Sequence, residues 1–392
     1  LVVRNNGDII FDLDTDFLHN GRPQRHMTAV MPSPSRTEMN KAEFVSIFGD
    51  IDVVSSLQQL LRHPNISSKE AIIHRYDYEI RGATLVRPLV GALLDGHADG
   101  VVVAEPLDAH GIAIGIGVNP WFGEQDPERM ALSVVDEAIR NVVAVGADPD
   151  KIALLDNFSW GDPRRETTLG HLVAAVNGCC TAAKAFAAPF VSGKDSLNNE
   201  YFGSDGERHS VPPTFVITAV AHVPDANATV TPDLKSTSNV LLVLGHTSCE
   251  FGGSHLAKVL NLSVSGAVPD FDTAAPARYR KLHGAIRAGL IQSCHDVSEG
   301  GIGVAVAEMA IAGRLGVDMS CCEKASDAQW LFSESNGRFI VEVKKEDAPK
   351  VLSLFAGESC QLGIVADNDF LLFSNGRNVS VTELSDMWKT PQ

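Results

Sequence analysis

The chain has 392 residues, 44% of them hydrophobic and 21% charged, an ordinary globular composition with room for two or more domains. Its 32 basic residues against 49 acidic ones leave a net charge of -17, which argues against a non-specific nucleic-acid binder, since that task needs Lys and Arg to displace phosphate counterions. No run approaches the roughly 20 apolar residues that span a bilayer.

An acidic chain can still take nucleotides, because a carboxylate-held Mg²⁺ bridges phosphate to protein. The seven cysteines show neither CxxC nor Cys/His metal spacing, which fits reduced thiols and a cytoplasmic protein. The first residue is Leu1 and no signal-like run follows it, so the expectation is a fragment or a processed chain. The Asn-x-Ser/Thr triplets beginning at Asn65, Asn157, Asn227, Asn261 and Asn378 then read as chance matches.

In chain order, a strand-like run at Asp8–Asp12 leads into an extended, Pro- and Arg-containing stretch, Gly21–His26. One helical segment is expected over Lys41–Arg62, broken at Pro64-Asn65. A first α/β unit follows. Its strand candidates are Thr84–Val90, Gly100–Ala104, Gly111–Val118, Lys151–Asp156, Phe190–Val191 and Thr214–Ala221. Its helices, Glu128–Gly146 and Thr168–Ala187, carry apolar residues at three- and four-residue spacing. The polar, Pro-containing stretch Pro224–Ser238 marks a boundary. A second α/β unit has strands at Val240–Leu244 and Arg338–Val343, with helices at His255–Leu260, Ala275–Ala288 and Gly301–Ala312. This order gives an α/β (α+β) chain in three parts: a connector and helical linker at 1–68, an α/β domain at 69–230 and a second at 231–392.

Four constellations could carry chemistry. Asp99 precedes a strand, Glu137 and Asn141 stand four apart on one helix face, and Asp296 sits at a strand-to-helix turn. Such hard oxygens suit Mg²⁺, which keeps waters and phosphates in its shell. A turn is read at Val191-Ser192-Gly193-Lys194-Asp195-Ser196, where Gly193 permits close approach and Ser196 can donate to an oxygen. It is not a P-loop, for Ala188 and Asp195 stand where that motif needs Gly and Ser/Thr. Ser298-Glu299-Gly300-Gly301 opens an apolar helix, a ready anion site. Asp156 ends an apolar strand. Each also has a plain structural reading as a solvated helix face, a tight turn, a helix cap or an Asx-turn. Ser254-His255 and Cys294-His295 lack a third orienting group and are read as structural.

Together these motifs resemble the second half of the phosphoribosylformylglycinamidine synthase family. The resemblance rests on Pro64-Asn65-Ile66-Ser67-Ser68-Lys69, Arg75-Tyr76-Asp77-Tyr78-Glu79-Ile80-Arg81-Gly82 and Asp136-Glu137-Ala138-Ile139-Arg140-Asn141. It continues through Gly193-Lys194-Asp195-Ser196 and His295-Asp296-Val297-Ser298-Glu299-Gly300-Gly301. Even Asp16–Pro23 resembles the connector between the family's halves. The resemblance implies an aminoimidazole ribonucleotide synthetase-like domain of the N-terminal type followed by one of the C-terminal type. It implies an ATP-dependent C–N ligase of purine biosynthesis, which turns formylglycinamide ribonucleotide and glutamine-derived ammonia into formylglycinamidine ribonucleotide.

Carried over by position, an auxiliary Mg²⁺–ATP/ADP site falls on Ala98 and Ser298 for the nucleotide and Asp99, Glu137, Asn141 and Asp296 for the metal. This half would lend the active site Asp156 and Gly193 for ATP and Ser196 for substrate. Lys194 stands where many family members have a metal-ligand Asn, so no metal is assigned there. The Ser-His-Asn-His-Pro segment bearing the family's catalytic histidine is absent, so no catalytic residue is expected and the isolated chain should be inactive. The implied partners are the first half of the enzyme, a glutaminase subunit or domain and a small bridging subunit, or a second copy of this chain. A nucleotide-binding scaffold and a small kinase or synthetase of the same superfamily are the other readings.

Overall fold

A computed structural model describes residues 1–79, 82–104 and 109–391. Ile80 and Arg81 of the motif above lie outside the described residues. The segment expected as one helix forms two, α1 (Lys41–Phe48) and α2 (Val53–Arg62), bent by 68°. Gly49 at φ 72° caps the first, and the Asp52 carboxylate accepts from the Val54 N–H to start the second. They are no mere linker. Phe44, Phe48, Leu57, Leu60 and Leu61 are buried in the core of the C-terminal domain.

The first domain contains β1 (Thr84–Val86), β2 (Gly100–Val103), β3 (Gly111–Val118), α3 (Pro127–Ala144), β4 (Ile152–Ser159), α4 (Glu166–Phe186), β5 (Phe190–Ser196) and β6 (Thr214–Val223). The strands make one sheet in the order β1-β2-β3-β6-β4-β5, antiparallel except for the β4/β5 pair. The expected turn around Gly193 is therefore a ladder-bonded edge strand, and Asp156 lies within β4, paired with Gly193.

Strand β3 shows why the sheet is one-sided. Its small residues face inward, because α3 packs so closely that a Cβ on Gly117 would lie 2.0 Å from the Val134 carbonyl oxygen. Its large residues face outward: Ile112, Ile114, Ile116 and Val118 are 36% to 50% exposed. Leu85 of β1 and Val191 of β5 are exposed too.

The second domain contains β7 (Val240–Leu244), α5 (Ala275–Arg287), β8 (Ile291–Asp296), α6 (Gly301–Gly313), β9 (Gly316–Asp318), β10 (Phe339–Val343), β11 (Ser359–Ala366), β12 (Phe370–Leu372), β13 (Asn378–Ser380) and α7 (Val381–Trp388). Its sheet runs β8-β10-β7-β11-β9-β12-β13. Both faces are covered around β7: Val240, Leu242 and Leu244 join the core shared with the first domain, Leu241 and Val243 the core under α2, α6 and α7. That two-sided burial explains the unbroken apolar run Val-Leu-Leu-Val-Leu. Among the described residues no single helix is long and apolar enough to cross a membrane.

The extended N-terminal arm ties the two domains. The Val30 N–H donates to the Glu166 carbonyl (2.9 Å), and Arg36 pairs with Asp126 (2.8 Å) and Glu128 (2.7 Å) in the first domain. Across the boundary, the Thr37 carbonyl accepts from the Ala267 N–H (3.2 Å), and the Met39 N–H donates to the Cys249 carbonyl (3.0 Å).

Because α3 leaves no room beneath β3, Gly117→Ala is expected to destabilise the chain by roughly 1–3 kcal/mol, the usual cost of overpacking. Urea unfolding measures it; an unchanged midpoint would show that the helix and strand are not in this contact.

Candidate functional site

The site lies where the two domains meet. Asp99 enters from the start of β2, Glu137 and Asn141 from α3, and Asp296 from the end of β8. Gly300 and Gly301, at φ 75° and 67°, swing the chain back so that α6 opens beside Asp296. Only glycine fits at 301, for a Cβ would meet the Ser333 carbonyl at 2.4 Å. The Gly300 N–H is taken by the Glu334 carboxylate (2.9 Å) and the Gly301 N–H by the Ser298 carbonyl (3.0 Å), while Val304, Ala305 and Glu308 of α6 line a cleft of about 220 Å³ beside the positive end of the helix dipole.

Ala98, Asp99, Asn141, Asp296 and Ser298 all line that cleft. Glu137 lines instead a narrow annex behind it, with Arg140, Glu299 and Glu334, and its Oε2 accepts from the Val118 N–H at 3.0 Å. Asp156, Gly193 and Ser196 are elsewhere, on the β4/β5 edge of the first sheet. There Gly193 leaves the space the Asp156 carboxylate fills: a Cβ would stand 2.1 Å from Oδ1. Lys194 contacts the Ser196 hydroxyl.

A buried charge network holds the cleft. Arg140, 2% exposed, pairs with Asp136 one turn earlier on α3 and donates to Ser298 Oγ at 2.6 Å, with Asp296 at 3.4 Å. Asp136 is held in turn by the Tyr279 hydroxyl (2.5 Å) and the Gly337 N–H (3.0 Å). Burial would raise the Asp296 pKa, but Arg140, His295 and Ser298 outweigh it and hold it below the usual carboxylate value.

The neighbouring carboxyls go the other way. Burial pushes Asp99 up; burial with Glu299 and Asp296 pushes Glu137 well up; and burial with Glu334 raises Glu299 to about 7. Among the described residues two buried oxygens on the cleft residues, Asp99 Oδ2 and Asn141 Oδ1, have no hydrogen-bond partner. Buried acceptors without donors are costly, and a cation satisfies them. The oxygen-rich set therefore fits Mg²⁺.

Sequence reasoning passed over several residues here. His295 sets Nδ1 2.5 Å from Asp99 Oδ1 and Nε2 3.2 Å from Glu308. Burial opposes its charge, yet the two carboxylates hold its pKa well above the ordinary value. Burial lowers His97 to about 4, so its neutral Nε2 accepts from the Lys69 N–H at 2.8 Å and pins Asn65–Lys69 at the rim. His295 adjoins a singled-out Asp, but nothing local marks Glu308. Ser254 merely caps a short helix, and His255 is held by Glu334 at 3.1 Å. A larger cavity, about 470 Å³ beside Ser254 and Lys258, has among the described residues none of the unpartnered buried atoms on its wall.

Two domains meeting over such a cleft define an AIR synthase-type protein, and the chain belongs to the AIR synthase related family. Residues 95–223 match its N-terminal domain and 237–370 its C-terminal domain. Solved structures of Thermotoga maritima PurL share the fold. PurL complexed with FGAR aligns with TM-score 0.66 and 17% identity over 89% of this chain and 56% of that one. The ATP complex gives TM-score 0.59 and 17% identity over 87% and 54%. PurLQS gives 0.63 and 17% over 90% and 55%. The chain thus spans about half the length of these structures.

Carboxyls whose folded pKa is raised stabilise the fold at low pH and lose that contribution as pH rises through the raised value. With Asp99, Glu137 and Glu299 raised, the cation-free chain should weaken toward neutral pH. Excess Mg²⁺ should raise the Tm more at about pH 8 than at about pH 5.5, and the gain should vanish in Asp99→Asn. An equal gain at both pH values, or in the variant, would place the cation elsewhere.

Proposed function

We propose that this chain is the second half of a phosphoribosylformylglycinamidine synthase. It holds an auxiliary Mg²⁺–ATP/ADP site and completes an active site whose chemistry lies in the first half. The observation that carries the reading is the pair of unpartnered oxygens, Asp99 Oδ2 and Asn141 Oδ1, on a cleft beside the glycine-opened start of α6. Asp99, Asn141 and Asp296 hold the metal, with Glu137 reaching in from the annex. Ala98 and Ser298 contact the nucleotide, whose phosphates lie toward the positive end of α6. Magnesium, when bound, neutralises phosphate charge. Arg140 keeps Asp296 ionised and Ser298 oriented.

Asp156 and Gly193 for ATP, and Ser196 for substrate, belong to the second centre. Their position on the β4/β5 edge of the first sheet supports this reading, since a group there can be shared with a partner laid along that edge. The outward isoleucines of β3 supply the apolar surface such a partner needs. In the full enzyme that partner is the first half, and glutamine-derived ammonia comes from a glutaminase domain or subunit, with a small bridging subunit. The likeness to PurLQS of Thermotoga maritima supports this reading. The whole protein is then a cytoplasmic purine-biosynthesis ligase, and this half alone lacks ligase activity.

Calorimetry with ADP and ATP tests the first centre. Binding should require Mg²⁺ and weaken at least about tenfold in Asp99→Ala with Glu137→Ala. No binding by the intact chain, or equal binding by the variant, would overturn the assignment. Sedimentation tests the sheet face: the chain alone should self-associate, and Ile114→Asp with Ile116→Asp should leave it monomeric. A wild-type monomer would show that this face needs no partner.

A further inference from the structure

Behind the cleft stands a buried imidazole for which the nucleotide reading has no use. We propose that His255 is a positioning residue: through the Asn65 side-chain amide it turns an N–H donor toward a bound phosphate when the ring is protonated, and a carbonyl oxygen when it is neutral. The inference rests on the reading that nucleotide phosphates lie toward α6, and adds a proton-controlled contact to them.

The hydrogen bonds assign a role to each ring nitrogen. Glu334 Oε1 accepts from the Gly300 N–H (2.9 Å) and the His255 N–H (2.9 Å), and His255 Nδ1 stands 3.1 Å from the same oxygen. A carboxylate only accepts, so Nδ1 carries the proton of the neutral ring and Nε2 is left a bare acceptor. Nε2 lies 3.3 Å from Asn65 Nδ2, so the amide donates to the ring and turns Oδ1 away from it. A second proton, on Nε2, reverses the bond. Nε2–H can only donate, the amide must offer Oδ1 to it, and the NH₂ group then faces outward.

The outward side is the cleft, whose wall includes Asn65. Ile66, the next residue, reaches within 3.4 Å of where a Cβ on Gly300 would stand, which puts Asn65 at the α6 end. Its backbone is fixed: the Asn65 N–H donates to His63 Nδ1 (3.2 Å) and its carbonyl accepts from Lys69 Nζ (3.2 Å). The side-chain amide is what remains to turn. His255 itself is 1% exposed. It is faced by Glu334, Glu299 and Lys258 and by the rings of Trp121 at 4.6 Å and His63 at 5.7 Å. Burial and Lys258 oppose its charge, yet Glu334 and Glu299 outweigh them and raise its pKa above the ordinary histidine value. Burial, with His255 and Lys69, holds His63 below that value, as an accepting Nδ1 requires.

ADP with Mg²⁺ is the probe, titrated into the full chain and into Asn65→Leu, a substitution at an exposed position. Carboxyls that titrate in the cleft act on both proteins alike, so the ratio of the two affinities reads the amide. Wild type should bind about tenfold tighter than the variant at about pH 6 and no tighter at about pH 9. Nitrogen spectra of ¹⁵N-histidine protein, with His255→Gln to identify the ring, should show the neutral imidazole protonated at Nδ1. ADP should raise the pKa of that ring in wild type and leave it unmoved in Asn65→Leu. A histidine that only braces Glu334 would give an affinity ratio constant with pH. That result, or a neutral ring protonated at Nε2, would overturn the proposal and leave the nucleotide site standing. Failure of wild type to bind ADP at any pH would overturn both.

Discussion

The buried guanidinium of Arg140 is the constraint on which the cleft depends. It is fixed from behind by Asp136, which Tyr279 and the Gly337 N–H hold in turn, and it reaches across the domain boundary to Ser298 and Asp296. Removing one member of a buried charge set leaves the others unpaired, at a cost of about 3–5 kcal/mol. One ion therefore does two jobs: it joins α3 to the second sheet, and it decides which carboxylate of the site is ionised. Asp296 is held charged while Asp99, Glu137 and Glu299 are pushed toward their neutral forms. The cleft is thus an anchored anion surrounded by carboxyls that a cation can recruit.

The two sheets bury apolar area in different ways. In the second domain β7 is covered on both faces and its side chains divide between two cores. In the first domain α3 lies so close to β3 that glycine and alanine must face it, and the isoleucines point outward. The same alternation that makes β3 a strand therefore places its apolar half on the surface. In a chain carrying 49 acidic residues, the four outward positions of β3 are all aliphatic, and that contrast marks the face as a contact surface.

Most of the architecture was legible in the sequence because periodicity reports which face of an element is covered. The long helices α3 and α4, the strand β7 and the glycine-opened helix α6 all stand within two or three residues of expectation. The Glu137–Asn141 spacing places both on α3, though they open into adjoining cavities. What escaped was tertiary. Gly193 and its neighbours look like a turn until β4 supplies the ladder. The segment around Leu57–Leu61 looks like a linker because its core is built from residues far along the chain. His295 meets Asp99 across 196 positions of sequence, and no local pattern can encode such a contact.

The N-terminal arm has a mechanical consequence. Three stretches of chain cross from one domain to the other: the arm running from Glu166 past Asp126 to Ala267 and Cys249, the segment between α2 and β1, and the segment between β6 and β7. A body held by one strap can swing about any axis through it, whereas one held at three separate places has no common hinge line. The walls of the cleft beside Arg140 are thus held together by the path of the chain as well as by the charge network.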